Sequence, residues 1–257
     1  MRLLVKLGGT LLDGAASRQR IAVELAEVHA RPDVQMVVVH GGGKQMTRFL
    51  AEQGVESQFV DGLRVTTPEV VDALLKIFAG SVNHELVASL VAAGAQAVGL
   101  TGIDACLVEA EQLKPELGAV GRPVRSNAEV LDTLLGRRFL PVVACVAGDR
   151  SGRIYNVNAD QMAVACAAGF RADQLIFLTD VDGVLDGSKN LVPELTREDC
   201  ARLIGDGVAT GGMQAKLNSA TDALNKGIGE VRIAPGAKSG ILAELLNGVG
   251  TGTRVVA

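Results

Sequence analysis

The 257-residue sequence predicts an α/β fold in which helices cover both faces of a mainly parallel sheet. The first observation behind this prediction is an alternation of short β-rich segments with segments of helical periodicity. The second is a set of helix-start signals, such as Thr67 before Pro68 and Thr196 before an acidic first turn. The third is a glycine-rich turn at the point where a predicted strand passes into a helix. Together these features indicate repeated strand–turn–helix units.

The boundaries of the predicted elements follow from the same patterns. Strands are expected at residues 3–7, 34–40, 97–100, 140–147, 174–179 and 230–233. Helices are expected at residues 18–30, 44–53, 68–78, 83–93, 127–135, 159–168, 197–205 and 212–226. The glycine-rich stretch 116–121 is expected to form a hairpin. One sheet is expected to run through two lobes that meet near residues 169–171.

Composition argues against several classes of protein. Apolar residues make up 48% of the chain, too many for a disordered protein. The net charge of −4, without a block of like charges, argues against nucleic acid as a partner. No apolar run near the ~18–20 residues of a membrane span and no secretion signal are evident. The cysteines lack paired spacing, so we expect a buried Cys145 and Cys166 and a reducing, cytoplasmic location.

Two glycine-rich turns are the most informative motifs. Lys6-Leu7-Gly8-Gly9 closes the first predicted strand, and His40-Gly41-Gly42-Gly43-Lys44 joins the second strand to a helix. Bare backbone N–H groups at such turns bind anions. The second turn has neither the Walker A nor the G-x-G-x-x-G spacing, and we interpret His40 as a structural residue. Two anion sites in one small α/β unit indicate phosphoryl transfer to an acidic acceptor.

Two further motifs each leave two interpretations open. Arg64, in a loop before a capped helix, suits either bidentate capture of a carboxylate or a surface ion pair. The segment Asn156-Val157-Asn158-Ala159-Asp160 joins a strand to a helix. Its Asp160 either compensates the helix dipole or holds a lysine in place without touching substrate.

The second half of the chain repeats the theme of phosphate-binding turns. Asp180 and Asp182 indicate a turn rather than a magnesium cage, and the glycines before Lys216 open a helix whose start suits nucleotide phosphates.

With only three histidines in the chain, a histidine base is poorly supported. A carboxylate acceptor with a pKa of about 4.3 needs no base. It needs alignment and cations that offset the charge of the moving phosphoryl group.

Taken in order, these motifs resemble those of the amino acid kinase family along nearly the whole chain. The resemblance implies a three-layer αβα sandwich around the central sheet. It implies that residues 1–170 form an N-terminal lobe for acyl-amino-acid binding and dimerisation, and residues 171–257 a C-terminal lobe for ATP. The implied reaction phosphorylates the side-chain carboxylate of N-acetyl-L-glutamate to N-acetyl-L-glutamyl 5-phosphate, in arginine biosynthesis. Mg²⁺ would arrive with ATP, held by phosphates and water, without a metal site on the protein.

The resemblance also implies roles for individual residues. Lys6 and Lys216 would stabilise the transferring phosphoryl group, and Asp160 would orient them. The acceptor would be bound by Gly42, Gly43, Arg64 and Asn156. ATP would be bound by Gly8, Gly9, Asp180, Val181, Asp182, Gly183, Val184, Leu185, Val208, Ala209 and Thr210.

Two departures from the family pattern bear on assembly. The segment Gly102-Ile103-Asp104-Ala105-Cys106 differs from the Gly-Lys-Asp-Gly pattern of the family, which affects acceptor or dimer geometry. Lys6 lies almost at the start of the sequence, whereas the arginine-inhibited hexamers of the family carry an extra helix before this strand. We therefore expect a homodimer that is insensitive to arginine.

Two other functions remain open at this point. A sister kinase would act on acetylated or carrier-bound aminoadipate, although the motifs around Arg64 and Asn156 favour the acetylglutamate branch. A non-catalytic nucleotide sensor of the same fold would have no need of both lysines and Asp160. Aspartate, carbamate and uridylate kinases share the fold but differ at these motifs.

Overall fold

The computed structural model describes residues 1–257 and confirms a mainly parallel sheet between helical layers. Its strands are β1 (Arg2–Leu7), β2 (Gln35–His40), β3 (Phe59–Val60), β4 (Leu63–Arg64), β5 (Ala97–Thr101), β6 (Val108–Gln112), β7 (Val120–Ser126), β8 (Leu140–Ala144), β9 (Val146–Gly148), β10 (Ile154–Val157), β11 (Gln174–Thr179), β12 (Glu194–Leu195), β13 (Glu230–Pro235) and β14 (Thr253–Val255). Its α-helices are α1 (Ala15–Ala30), α2 (Gly43–Glu52), α3 (Pro68–Leu74), α4 (Asn83–Ala92), α5 (Glu129–Gly136), α6 (Ala159–Phe170), α7 (Arg197–Gly205), α8 (Gly211–Asn225) and α9 (Ile241–Leu246).

The central sheet has eight strands in the order β12-β14-β13-β11-β1-β2-β8-β5. All neighbouring pairs are parallel except β13 with β14. Strand β1 is buried on both faces: Leu4 belongs to one hydrophobic cluster, and Leu3, Val5 and Leu7 belong to the other. Strands buried on both faces read as near-continuous apolar runs, which is why the sequence predicts them well. The αβα sandwich is confirmed.

A second, small sheet closes into a barrel of β6, β7, β9 and β10. Its β6–β7 pair is antiparallel around a 3₁₀ turn at Pro115–Leu117, which confirms the hairpin expected near 116–121. The prediction of one strand over 140–147 is wrong. The chain bends at Cys145, so β8 stays in the central sheet while β9 joins the barrel. An unbroken apolar run carries no sign of this change of sheet.

The predicted helices 68–78 and 83–93 are joined into one. A π-helical segment, Leu75–Val82, connects α3 to α4 without a break. This 25-residue helix, Pro68–Ala92, is long and apolar enough to cross a membrane by length and composition alone. In the folded protein, 33% of its most apolar 18-residue stretch is buried. Charged side chains at Asp72, Lys76 and Glu85 interrupt the apolar pattern of the helix, so it contains no continuous apolar run of that length. In the fold the helix packs on α1 and β5.

The division into lobes at residue 170 stays a prediction. Helix α6 ends at Phe170, and β11 begins at Gln174 in the middle of the central sheet. The carboxyl ends of β1, β2 and β11 meet at one edge of this sheet, beside the starts of α2 and α6. Ligands of open α/β sheets bind at this edge.

Candidate active site

An aspartate between two lysines lies at the centre of this edge. The Nζ atom of Lys6, on β1, lies 2.6 Å from Oδ1 of Asp160, and Nζ of Lys216, on α8, lies 3.4 Å from Oδ2. Asp160 stands in the first turn of α6, where the side chain of Asn158 caps the helix by accepting from the N–H of Asp160 at 2.9 Å. Three separate elements thus bring together the two lysines and the aspartate that the family resemblance grouped.

The electrostatics of this cluster fix its charge state. Burial of Asp160 disfavours its ionised form, but the ammonium groups of Lys6 and Lys216 outweigh that effect and hold the pKa of the carboxyl below its ordinary value. Asp160 therefore stays ionised and is committed to the two lysines. Lys216 is the more exposed of the two cations, at 19% of its side chain against 9% for Lys6.

A cavity of about 630 Å³ opens beside the two lysines. Its lining carries five cationic side chains and one carboxylate, and also includes backbone of both glycine-rich turns. The charged members are Lys6, Lys44, Arg48, Arg64, Lys216 and Asp180. Because the whole chain has a net charge of −4, this cavity concentrates positive charge locally. It suits a ligand with several negative charges, such as a polyphosphate.

Arg64 is a buried cation held by neutral groups. It is only 8% exposed, and its guanidinium donates to Ser57 Oγ, to Thr47 Oγ1 at 2.7 Å and to the carbonyl of Gly43 at 3.2 Å. Burial lowers its pKa, and the structure contains no ion pair between Arg64 and a carboxylate. A desolvated guanidinium without an anionic partner suits an incoming carboxylate, which removes the surface ion pair from the two interpretations of Arg64.

A second, smaller cavity of about 170 Å³ lies on the other side of Arg64. It shares Gly43, Phe59 and Arg64 with the first cavity, and its lining also includes Gly41 and Gly42. A Cβ atom on Gly42 would come within 2.9 Å of the Phe78 ring, so only glycine fits between the turn and this ring. Half of the residues that line this cavity are hydrophobic, and its volume suits a small organic acid.

The predicted acceptor residue Asn156 lines this second cavity. It lies in β10 of the small barrel, and its Nδ2 donates to Thr66 Oγ1 at 3.0 Å. Thr66 in turn donates to the carbonyl of Arg64 at 2.8 Å. The structure therefore brings Gly42, Gly43, Arg64 and Asn156 together, and a hydrogen-bonded chain connects the last two.

The predicted nucleotide residues are only partly gathered at the first cavity. Gly8, Gly9 and Asp180 line it directly. Gly187 and Val208 lie near each other, so the loop after β11 approaches the segment before α8. Two of the other predicted residues, Val184 and Ala209, are buried. Three are exposed: Val181, Leu185 and Val208. The remaining residues of the two segments are Asp182, Gly183 and Thr210.

His40 lies in the core below the second glycine turn. It is fully buried, with Nδ1 2.8 Å from the carbonyl of Gly41 and Nε2 2.9 Å from the Asn83 amide nitrogen. Burial lowers its pKa to about 4, so the ring is neutral near pH 7. A neutral, Nδ1-protonated ring satisfies both contacts, which agrees with the structural role predicted for His40. Cys145 and Cys166 are buried, as expected.

Three residues around Arg64 belong to no recognisable motif. Thr47 and Ser57 hold its guanidinium, and the ring of Phe59 covers one of its faces. Single hydroxyl groups on a helix or loop carry no sequence signal. The Asp61-Gly62 pair is a known signal for a two-residue hairpin turn, and it would have placed Phe59 opposite Arg64.

Comparison with known proteins gives consistent matches over the whole chain. An acetylglutamate kinase of Solibacter usitatus is 62% identical over 256 residues, covering 100% of this chain and 99% of that protein. An acetylglutamate kinase of Acidobacterium capsulatum is 40% identical over 260 residues, covering 100% of both chains. An N-acetylglutamate synthase structure from Neisseria gonorrhoeae, with coenzyme A and N-acetyl-glutamate, covers 100% of this chain and 59% of that chain. Its TM-score is 0.89 at 23% identity, which supports the fold alone.

The family profile covers both halves of the site. The sequence model of the amino acid kinase family matches residues 1–235. This range includes both glycine-rich turns, Arg64, Asp160 and Lys216. With this match and the relatives above, the chain belongs to the amino acid kinase family.

Proposed function

We propose that this protein transfers the γ-phosphoryl group of ATP to the side-chain carboxylate of N-acetyl-L-glutamate. The products are ADP and N-acetyl-L-glutamyl 5-phosphate, an intermediate of arginine biosynthesis. The observation that carries the proposal is the Lys6–Asp160–Lys216 cluster beside Arg64, a buried guanidinium without a carboxylate partner. The names of the full-length relatives point to the same reaction.

The acceptor occupies the smaller cavity in this proposal. Its α-carboxylate binds Arg64, with Asn156 beside it, and the backbone of Gly42 and Gly43 faces the reacting end. The side-chain carboxylate is already ionised near neutral pH, so attack on the phosphorus needs no general base. Catalysis then consists of alignment and charge stabilisation.

The two lysines supply that charge stabilisation. Negative charge spreads over the γ-phosphoryl oxygens as the group moves from ADP to the acceptor, and Lys6 and Lys216 offset it. Asp160 keeps both ammonium groups in place and is a positioning residue, because its oxygens are already paired with them.

ATP occupies the larger cavity with its phosphates near Gly8 and Gly9. No group of three or more His, Cys, Asp or Glu side chains gathers in the structure. Asp180 is the one carboxylate that lines this cavity, so the residues present fit a Mg²⁺ ion that the ATP phosphates and water would hold and that would neutralise phosphate charge. The segments 180–185 and 208–210 extend from this cavity and complete the proposed nucleotide site.

A hydroxylamine trap tests the reaction directly. The protein is incubated with MgATP, hydroxylamine and one acceptor at a time: N-acetylglutamate, N-acetylaminoadipate or aspartate. We expect hydroxamate mainly from N-acetylglutamate. A larger yield from N-acetylaminoadipate would replace the acceptor, and no hydroxamate from any acceptor would end the kinase assignment.

We also propose that the protein is a cytoplasmic homodimer. Strand β5 is an edge of the central sheet, and the helix beside it leaves Leu75 and Val91 exposed. An unpaired strand edge next to apolar side chains favours a second copy of the chain. Light scattering is expected to give twice the monomer mass of 26.6 kDa. A monomer or a hexamer would contradict this assembly.

A further inference from the structure

Phe59 and Arg64 are directly paired across a two-stranded hairpin. Strands β3 and β4 pair antiparallel with Phe59 opposite Arg64, and Cζ of Arg64 lies 4.6 Å from the centroid of the Phe59 ring. Asp61 and Gly62 form the turn, both with positive φ, as the tightest hairpin turns require. The hairpin therefore fixes the aromatic ring against one face of the guanidinium.

The two stacked residues differ in their exposure. Arg64 is 8% exposed, whereas Phe59 is 54% exposed and lines both cavities. The donors at the edge of the guanidinium are oriented by Thr47, Ser57 and the Gly43 carbonyl. The ring shields one face of the cation from water, which strengthens any charge interaction that Arg64 makes in the plane of its donors.

We propose that Phe59 is a positioning and specificity residue for the acceptor, an inference that rests on the proposed function. The ring holds the guanidinium plane in the orientation that accepts a carboxylate. Its exposed part forms an apolar wall between the two cavities, against which the aliphatic carbons of the acceptor pack. The preferred acceptor class is thus a carboxylate joined to an apolar segment, and a short, fully polar acid gains little from this wall.

Three variants separate this role from a general role in folding. Phe59→Leu keeps apolar volume without the aromatic face, and Phe59→Tyr keeps the aromatic face. Val60→Ala is the matched control, because Val60 is a neighbouring apolar residue of the same hairpin, 46% exposed and outside both cavity linings. The KM for N-acetylglutamate, the KM for ATP and kcat are measured for each by the hydroxamate assay.

Phe59→Leu is expected to raise the acceptor KM about tenfold, or ~1.4 kcal/mol, with kcat and the KM for ATP within twofold of wild type. Phe59→Tyr and Val60→Ala are expected to stay within twofold in all three constants. In an Arg64→Lys background, Phe59→Leu is expected to change the acceptor KM less than threefold, because leucine keeps the apolar wall and the lost aromatic face acts through the guanidinium. An unchanged acceptor KM in Phe59→Leu, or equal effects of Phe59→Leu and Val60→Ala, would overturn the inference.

A readout without turnover separates this inference from the proposed function. Phenylglyoxal modifies arginine side chains, and mass spectrometry of peptides measures the rate at Arg64 in the free protein. We expect this rate to rise about fivefold in Phe59→Leu and to stay at the wild-type value in Phe59→Tyr. If wild type formed no hydroxamate, the proposed function would fail, and the labelling rate would still decide whether Phe59 holds Arg64. Equal rates in wild type and Phe59→Leu would show that it does not.

Discussion

The Nζ atom of Lys6 lies 2.6 Å from Oδ1 of Asp160, and the side chains of both residues are more than nine-tenths buried. A buried ion pair of this kind costs desolvation energy, which its own attraction only partly returns. Lys216 contacts the other oxygen of the same carboxylate at 3.4 Å. The arrangement therefore keeps two cations close together in a cleft, where they repel each other unless an anion lies between or beside them.

Replacing Asp160 tests this positioning role. Asp160→Asn keeps the size of the side chain but leaves two ammonium groups without their shared counter-ion. We expect kcat to fall about a hundredfold, since both lysines shift, and the free energy of unfolding to fall by about 3 kcal/mol. Steady-state kinetics and urea unfolding measure the two effects. Asp222→Asn, at an exposed pair with Lys226, is the control and should change neither by much. Retention of kcat within threefold in Asp160→Asn would rule out the positioning role.

Lys216 is expected to act on the transition state more than on ATP binding. Lys216→Ala should lower kcat about a hundredfold or more, while the KM for ATP changes less than fivefold. The physical reason is that charge on the γ-phosphoryl oxygens develops only during transfer. Lys226→Ala, just beyond the end of the same helix and 45% exposed, is the matched control and should leave kcat unchanged. A large loss of ATP affinity with little change in kcat would contradict the role.

The effect of Arg64 is expected on the acceptor. Arg64→Lys keeps the charge but loses the planar fork that Thr47 and Ser57 orient. We expect the acceptor KM to rise about thirtyfold in Arg64→Lys and more in Arg64→Ala, with the KM for ATP within threefold. Isothermal titration with N-acetylglutamate checks the binding part separately. Arg122→Ala, at an exposed pair with Glu111, serves as the control. An unchanged acceptor affinity would remove Arg64 from the site.

The sequence predicted the central sheet more accurately than the parts that shape the acceptor cavity. Strand β11 was placed at its observed bounds because an apolar segment buried on both faces has a strong, continuous pattern. The β3–β4 hairpin and β10 are two to four residues long, too short for any periodicity to show. The bend at Cys145 was missed for the opposite reason, since the apolar pattern continues through it.

The site shows the same division between local signals and long-range packing. Lys6, Asp160 and Lys216 each lie next to a recognisable turn or helix start, and the resemblance to the amino acid kinase family gave them their predicted roles. The hydroxyl groups of Thr47 and Ser57 acquire meaning only when folding brings them to Arg64, seven to seventeen residues away in sequence. Residues that act through a neighbour in space have no fixed spacing, and sequence reasoning from one chain cannot find them.

The last prediction concerns the stability of the fold in mild acid. The unfolded chain binds a proton at His40 near pH 6.5, whereas burial lowers the pKa of the folded state to about 4. Between these two values the unfolded state binds more protons than the folded state, so stability rises with pH in this window and falls as the pH drops through it. For this one group the free energy of unfolding falls by about 2 kcal/mol between pH 7 and pH 5.

The variant His40→Gln has no titrating group at this position. It should be less stable than wild type at pH 7, but its free energy of unfolding should fall by about 2 kcal/mol less than that of wild type over the same interval. Urea unfolding at pH 7, 6 and 5 measures both proteins, and the difference between their slopes isolates His40 from the carboxylates that also titrate. Parallel pH dependences for the two proteins would show that the His40 ring does not stay neutral in the fold.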